Sequence, residues 1–185
     1  MSKIIDNLQE IILNKAKEIL SREGYSKLNM RAIAKSCDIA LGTIYNYYPT
    51  KKELILAMMV DYWQEYFKVI HVIINSEDEF YLKLNKTFIE LSGFISRFKA
   101  EWLKPELYEN PDYVKSGIEK ELIYMEKLIN EIETLLLKEE ASKNIKLKFE
   151  AKETAKFILM NFVAMNQMPF FQYSTFEKFI KEILN

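Results

Sequence analysis

The chain has a single cysteine, Cys37, and a single histidine, His71, in 185 residues. One cysteine excludes an internal disulfide, and two soft ligands are too few for a structural zinc site, so no metal and no other cofactor is expected. Glycine and proline are scarce as well, with four of each. So few breakers leave long uninterrupted segments, which argues against a sheet-rich chain with frequent turns and for helices. No apolar run reaches the length of a membrane span, and residues 1–20 are punctuated by Lys3, Asp6, Glu10, Lys15 and Glu18, unlike a signal peptide. A cytoplasmic chain without a membrane partner is expected. No cluster of histidine, cysteine and carboxylate and no phosphate-binding loop can be picked out, so the chain does not read as an enzyme.

What is present is a globular composition, 49% hydrophobic and 29% charged, with a formal net charge of −1. The charge is unevenly placed. Residues 1–52 hold nine lysines and arginines against five acids, whereas residues 53–185 hold seventeen against twenty-two. A basic head on an acidic body suits a head that meets a polyanion.

Helical periodicity runs through most of the chain. Leu8, Ile11, Ile12, Ala16, Ile19 and Leu20 recur at three- and four-residue spacing, and Gly24 follows as a C-cap. Asn29 can cap a short second helix running to about Cys37, with Met30, Ile33 and Ala34 facing inward. A third helix spans about Leu41 to Tyr47 and stops before Pro49. Thr50 caps a long fourth helix ending near Asn75, and further helices are expected at about 77–99, 113–140, 149–167 and 175–184. The fold class is therefore all-α, about nine helices, with a helix-turn-helix head over residues 1–52 and a helical bundle over residues 53–185.

Two short helices joined by a tight turn and packed on a longer one form the unit that places its second helix in a major groove. The segments Gly24-Tyr25, Asn29-Met30-Arg31-Ala32-Ile33-Ala34 and Gly42-Thr43-Ile44-Tyr45-Asn46-Tyr47-Tyr48-Pro49-Thr50-Lys51-Lys52-Glu53-Leu54 together resemble the signature of TetR-type transcriptional regulators. That resemblance implies that Thr43, Tyr45, Tyr47 and Lys51 meet double-stranded DNA, with Arg31 at the start of the helix flanking the backbone. Asn29, Leu41, Gly42 and Asn46 complete the candidate DNA surface. Two positions depart from the family pattern. Asp38 stands where glycine is usual in the turn, and Leu41 where a polar or basic residue usually precedes Gly42, so contact with a thymine methyl replaces a hydrogen bond there. Tyr48, next to Pro49, reads as core, and Cys37 as a small buried apolar residue.

In the body, Trp63, Phe67, Phe94, Phe98, Trp102, Tyr108, Tyr124, Met125 and Phe162 are candidates for a ligand pocket, since aromatic and methionine side chains dominate such sites. Each could equally be core. Apolar stripes at 158–163 and 176–184 suggest a homodimer through the two C-terminal helices. The family resemblance implies a DNA-operator-binding regulator, a repressor released by a small hydrophobic effector. The alternative is a DNA-binding adaptor whose body holds a protein partner.

Overall fold

A computed structural model describes residues 7–102, 111–168 and 170–184 of the chain. Among these residues the structure is helical throughout, with eight α-helices and one 3-10 turn: α1 Leu8–Glu23, the turn Tyr25–Lys27, α2 Met30–Ser36, α3 Leu41–Tyr47, α4 Lys51–Ile74, α5 Phe80–Trp102, α6 Pro111–Ala141, α7 Ala151–Gln167 and α8 Tyr173–Leu184. No helix in the described residues is long and apolar enough to cross a membrane. The punctuation acts where the residue chemistry places it. Gly24, at φ 83°, ends α1 and donates its N–H to the Leu20 carbonyl. A side chain would be strained there. Asn29 is extended and accepts the Ala32 N–H at 2.9 Å, capping α2, and Thr50 accepts the Glu53 N–H at 3.1 Å, capping α4.

The described residues group into two compact units, one running to Gln64 and including residues 99–117, the other comprising residues 65–98 and the chain from Ile118. The first unit contains α1, α2, α3 and the start of α4. Its core collects Ile12, Ala16 and Ile19 from α1, Leu28, then Met30, Ile33 and Ala34 from α2, Ile44 from α3, and Leu54, Ile55 and Met58 from α4. The four-residue and three-residue steps in each set are those that return a side chain to one helix face.

The second unit contains the rest of α4, most of α5, and the chain from Ile118 onward. Leu84 and Leu91 of α5, Leu128, Ile132 and Leu136 of α6, Ile158, Leu159 and Phe162 of α7, and Phe176, Ile180 and Leu184 of α8 are all buried. Each such side chain contributes about 1.5–3 kcal/mol by leaving water. These are largely the stripes expected to form a dimer surface. Most of their positions close the unit's own core, while Phe179 of the second stripe stays exposed and Ile183 half-buried. The C-terminus of α8 is sealed by the loop between α6 and α7: the Lys146 N–H donates to the Leu184 carbonyl at 2.8 Å and Lys148 Nζ to the Glu182 carbonyl at 2.7 Å.

One ion pair lies inside this unit. Lys83 Nζ meets Glu139 Oε1 at 2.9 Å with both side chains under a tenth exposed, 5% and 7%. Asn144 Nδ2 donates to the other carboxylate oxygen at 2.7 Å. Asn144 is delivered there by the end of α6, where Lys143 takes a left-handed conformation and its neighbour's N–H returns to the Glu139 carbonyl. Burial raises the Glu139 pKa, but the hydrogen bonds from Asn144 and Lys83 outweigh it and hold the carboxyl below the ordinary glutamate range.

Replacing Lys83 by Met strands a buried carboxylate and should cost about 3–5 kcal/mol, whereas pairing Lys83→Met with Glu139→Leu should recover most of that loss. Urea denaturation of the three variants reads this directly; equal loss in single and double variants would show that the pair is not coupled. A depressed carboxyl pKa stabilises the fold above the unfolded value, about 4.3. That contribution should disappear as pH falls through the lower folded pKa, and Glu139→Leu with Lys83→Met should remove this acid sensitivity.

Candidate nucleic-acid interface

The turn between α2 and α3 is closed by two backbone hydrogen bonds. The Ile39 N–H reaches back to the Ala34 carbonyl at 3.1 Å and the Asp38 N–H to the Lys35 carbonyl at 3.2 Å. This is a Schellman closure with Asp38 at the left-handed position, φ 53°. Aspartate tolerates that geometry better than most residues with a Cβ, which explains how the turn forms without glycine.

α3 has only seven residues, and its faces are sharply divided. Ile44 is completely buried, Tyr48 just beyond the helix is buried, and the Tyr48 hydroxyl donates to the Gln9 carbonyl at 3.4 Å. Burial raises the Tyr48 pKa despite that hydrogen bond, as fits a core phenol. Turned away from the core are Gly42, Tyr45 and Asn46, the i, i+3 and i+4 positions of one face, all exposed. Leu41 and Thr43 are half-buried, and Tyr47 is exposed. Tyr45 and Tyr47 leave 45% and 41% of their surface in solvent, too much for packing residues. A Cβ built on Gly42 would meet nothing within 4 Å, so packing inside the chain does not demand glycine there.

Charge surrounds this face unevenly. On α1, Glu18 pairs with Lys15 at 2.8 Å and with Arg22 at 2.7 Å, and Lys17 pairs with Asp61 of α4. Lys27, Arg31 and Lys35 are exposed and enter no ion pair among the described residues. The head's excess positive charge is thus displayed on and just before α2. Lys51, at the start of α4, places its ammonium 3.9 Å from the centre of the Tyr25 ring, and burial lowers its pKa. Tyr25 is a partner that the amino-acid pattern did not single out. Asn29 is occupied locally, since it caps α2 and also donates to the Lys27 carbonyl at 3.0 Å. Cys37 is half-buried, and burial raises its thiol pKa against the opposing effect of Lys15, leaving a weak nucleophile.

The candidate pocket residues divide into separate groups. In the second unit, Tyr66 lies 5.6 Å from Phe67 and 4.6 Å from Phe94 between ring centres, Phe94 stacks on Phe98 at 5.9 Å, and Phe67 approaches Tyr124 at 6.0 Å. Lys127 holds its ammonium 4.2 Å from the Phe67 ring centre. Tyr66, central here, reads from sequence only as an inward position of the fourth helix; a phenol among phenylalanines was the available signal. Its hydroxyl pKa is raised well above the usual tyrosine range by burial, with Glu90 adding to the effect. Met125 is half-buried and Trp63 is buried. Phe162 stands apart from this group, in a second cluster with Phe88 at 5.3 Å and Phe176 at 5.4 Å. Tyr108 and the side chain of Trp102 lie outside the described residues.

α7 and α8 also present an outer apolar face. A groove of about 370 Å³ is lined by Phe149, Glu153, Thr154, Phe157 and Ile183. Met160 and Phe179 extend the same two helices' exposed apolar surface, at 65% and 61% in solvent. Phe179 and Ile183 belong to the 176–184 stripe, whereas Phe149, Phe157 and Met160 lie off the inward positions of α7 that the sequence pattern marks.

A small three-helix core that turns the outer face of a short helix to solvent, with cations on the helix before it, is the arrangement of a helix-turn-helix unit. Residues 12–58 match the family described as bacterial regulatory proteins, tetR family. The chain is 45% identical over 49 residues to the HTH-type transcriptional regulator UidR of Escherichia coli, a match covering 26% of this chain and 25% of UidR. It is 40% identical over 48 residues to the HTH-type transcriptional repressor KstR of Mycolicibacterium smegmatis, covering 26% and 24%. The matched part is thus about a quarter of each relative's length. Over nearly the whole chain the fold is similar to a transcriptional regulator from Cytophaga hutchinsonii, with a TM-score of 0.72 at 20% identity, covering 96% of this chain and 93% of that one. A TetR transcription regulator from Haloarcula marismortui gives 0.67 at 16% identity, covering 88% and 86%.

Proposed function

We propose that the chain is a transcriptional repressor that binds an operator as a twofold dimer and leaves it when a small hydrophobic molecule occupies the body. The observation that carries the DNA part is the outer face of α3, where exposed Tyr45 and Asn46 flank a glycine that nothing in the chain requires. A helix entering the major groove needs a surface that is shaped for close approach and not used in its own core. Arg31, Lys35 and Lys51 supply phosphate contacts, and Thr43 and Tyr47 can donate hydroxyl hydrogen bonds to the backbone. Two heads in a dimer read half-sites one helical turn, about 34 Å, or a multiple apart.

The dimer reading rests on the outer apolar face of α7 and α8, with Phe157, Met160 and Phe179 exposed in a chain of ordinary composition. A twofold interface is self-complementary, so these two helices from each copy would form a four-helix contact. The effector reading rests on the buried aromatic group around Tyr66, joined to the head by the unbroken helix α4. An effector acts only through its differential affinity for the bound and released arrangements, and tenfold release requires about 1.4 kcal/mol of coupling.

Gly42→Ala should stabilise α3, by up to about 1 kcal/mol, yet weaken duplex binding by putting a methyl group at the closest approach. Thermal unfolding and fluorescence anisotropy on one preparation measure both, and unchanged DNA affinity would remove the assigned face. Phe157→Glu with Phe179→Glu should convert a dimer to a monomer in sedimentation velocity. A wild-type protein that stays monomeric would shift the groove to a protein partner. Among apolar and aromatic small molecules, those raising the melting temperature should also lower operator affinity, and Phe94→Ala should abolish both effects. Stabilisation without release would refute the effector coupling.

A further inference from the structure

We infer that the operator half-site presents A·T base pairs to α3, with one adenine read by Asn46 through the major-groove N6 and N7 positions. This rests on the DNA-binding reading and names the sequence class that such a head accepts.

The first observation is what the reading helix lacks. From Leu41 to Tyr47, α3 carries no lysine, arginine, aspartate or glutamate. Guanine offers two acceptors in the major groove, N7 and O6, and is matched by the paired donors of arginine or the ammonium of lysine. Cytosine offers a donor at N4 and is matched by a carboxylate. Neither partner stands on this helix. The exposed cations Arg31 and Lys35 belong to α2, the helix that crosses the phosphate backbone in this type of head.

The second observation is the state of Asn46. It lies at the middle of the outer face, exposed, and no hydrogen bond among the described residues engages its side chain. Exposed Asn14 and Asn130 are likewise without a side-chain bond among the described residues, whereas two asparagines of α7 are engaged. Asn161 and Asn166 turn back to donate to the carbonyls of Phe157 and Phe162, four residues earlier, each at 2.8 Å. The corresponding carbonyl for Asn46 is that of Gly42, and the amide does not take it. An amide carries one acceptor and one set of donors side by side, which complements adenine, where N7 accepts and N6 donates. Gly42, one turn earlier on the same face and without a side chain, leaves the space the amide needs to descend onto a base edge. Leu41, half-buried at the start of the helix, offers apolar surface that suits the methyl group of thymine and offers no hydrogen bond to a G·C pair.

The test selects duplexes from a random pool with the full chain, wild type and Asn46→Ala in parallel. Asn46 is exposed and alanine is the better helix former, so the variant should fold; circular dichroism checks this. The wild type should enrich half-sites with an A·T core holding one invariant adenine. Asn46→Ala should lose the preference at that position alone, with affinity for the selected site falling roughly 5- to 150-fold. Substituting 7-deaza-adenine there removes the N7 acceptor; it should weaken the wild type and leave Asn46→Ala unaffected. Enrichment of a G·C core, or a wild type indifferent to 7-deaza-adenine, overturns the inference while the DNA-binding reading stands. Failure to enrich any duplex overturns the DNA-binding reading itself.

Discussion

The presentation of α3 depends on the burial of Ile44. A seven-residue helix has no stability of its own in water, since nucleation costs more than so few hydrogen bonds return. It exists because Ile44 is fully enclosed by the first unit's core and Tyr48 closes the end of the helix from the same side. With that side held inward, the 100° step of the helix leaves Gly42, Tyr45 and Asn46 no direction but outward. The closure at Asp38 sets where the helix begins, and Pro49 sets where it stops. The outer face of α3 is therefore the remainder of a packing problem, which is why its side chains can differ without disturbing the fold.

Electrostatics follow the same division of labour. Glu18 and Asp61 pair with lysines and an arginine on α1, while Lys27, Arg31 and Lys35 enter no ion pair among the described residues. Exposed pairs of this kind add little stability, about 0–1 kcal/mol. Their consequence is a cleaner positive field on one side of the head, the condition for steering a polyanion onto it.

In the second unit, closing the bundle uses one face of α7 and α8 and thereby commits the other to solvent. Phe162, Phe176, Ile180 and Leu184 go inward, so Phe157, Met160 and Phe179 come out. The two aromatic groups, around Tyr66 and around Phe162, have no ring contact in common among the described residues. Only the first has a residue on α4, the helix that continues from the head. Inside this apolar setting the Lys83–Glu139 pair with Asn144 fixes how α5 meets the end of α6, because a buried carboxylate tolerates only an arrangement that supplies its hydrogen bonds.

The all-helical class, the limits of α1 to α4, the caps at Gly24, Asn29 and Thr50, and the left-handed turn at Asp38 were legible in the residues themselves. Each depends on interactions within a few positions along the chain, and local chemistry is what a sequence displays directly. The same holds for Ile44 inward and Tyr45 outward, a matter of helical period once the helix is located. Other features were decided only by tertiary structure. That the stripes 158–163 and 176–184 are mostly core, that Phe162 belongs with Phe88 and not with Phe94, and that Tyr66 is central all follow from which helix lies against which. So does the engagement of Asn29 and the place of Tyr25 beneath Lys51. An apolar residue in a sequence states only that it prefers to leave water. Which partner satisfies that preference, its own bundle or a second molecule, is settled by distances between segments far apart in the chain, and the helical period carries no record of them.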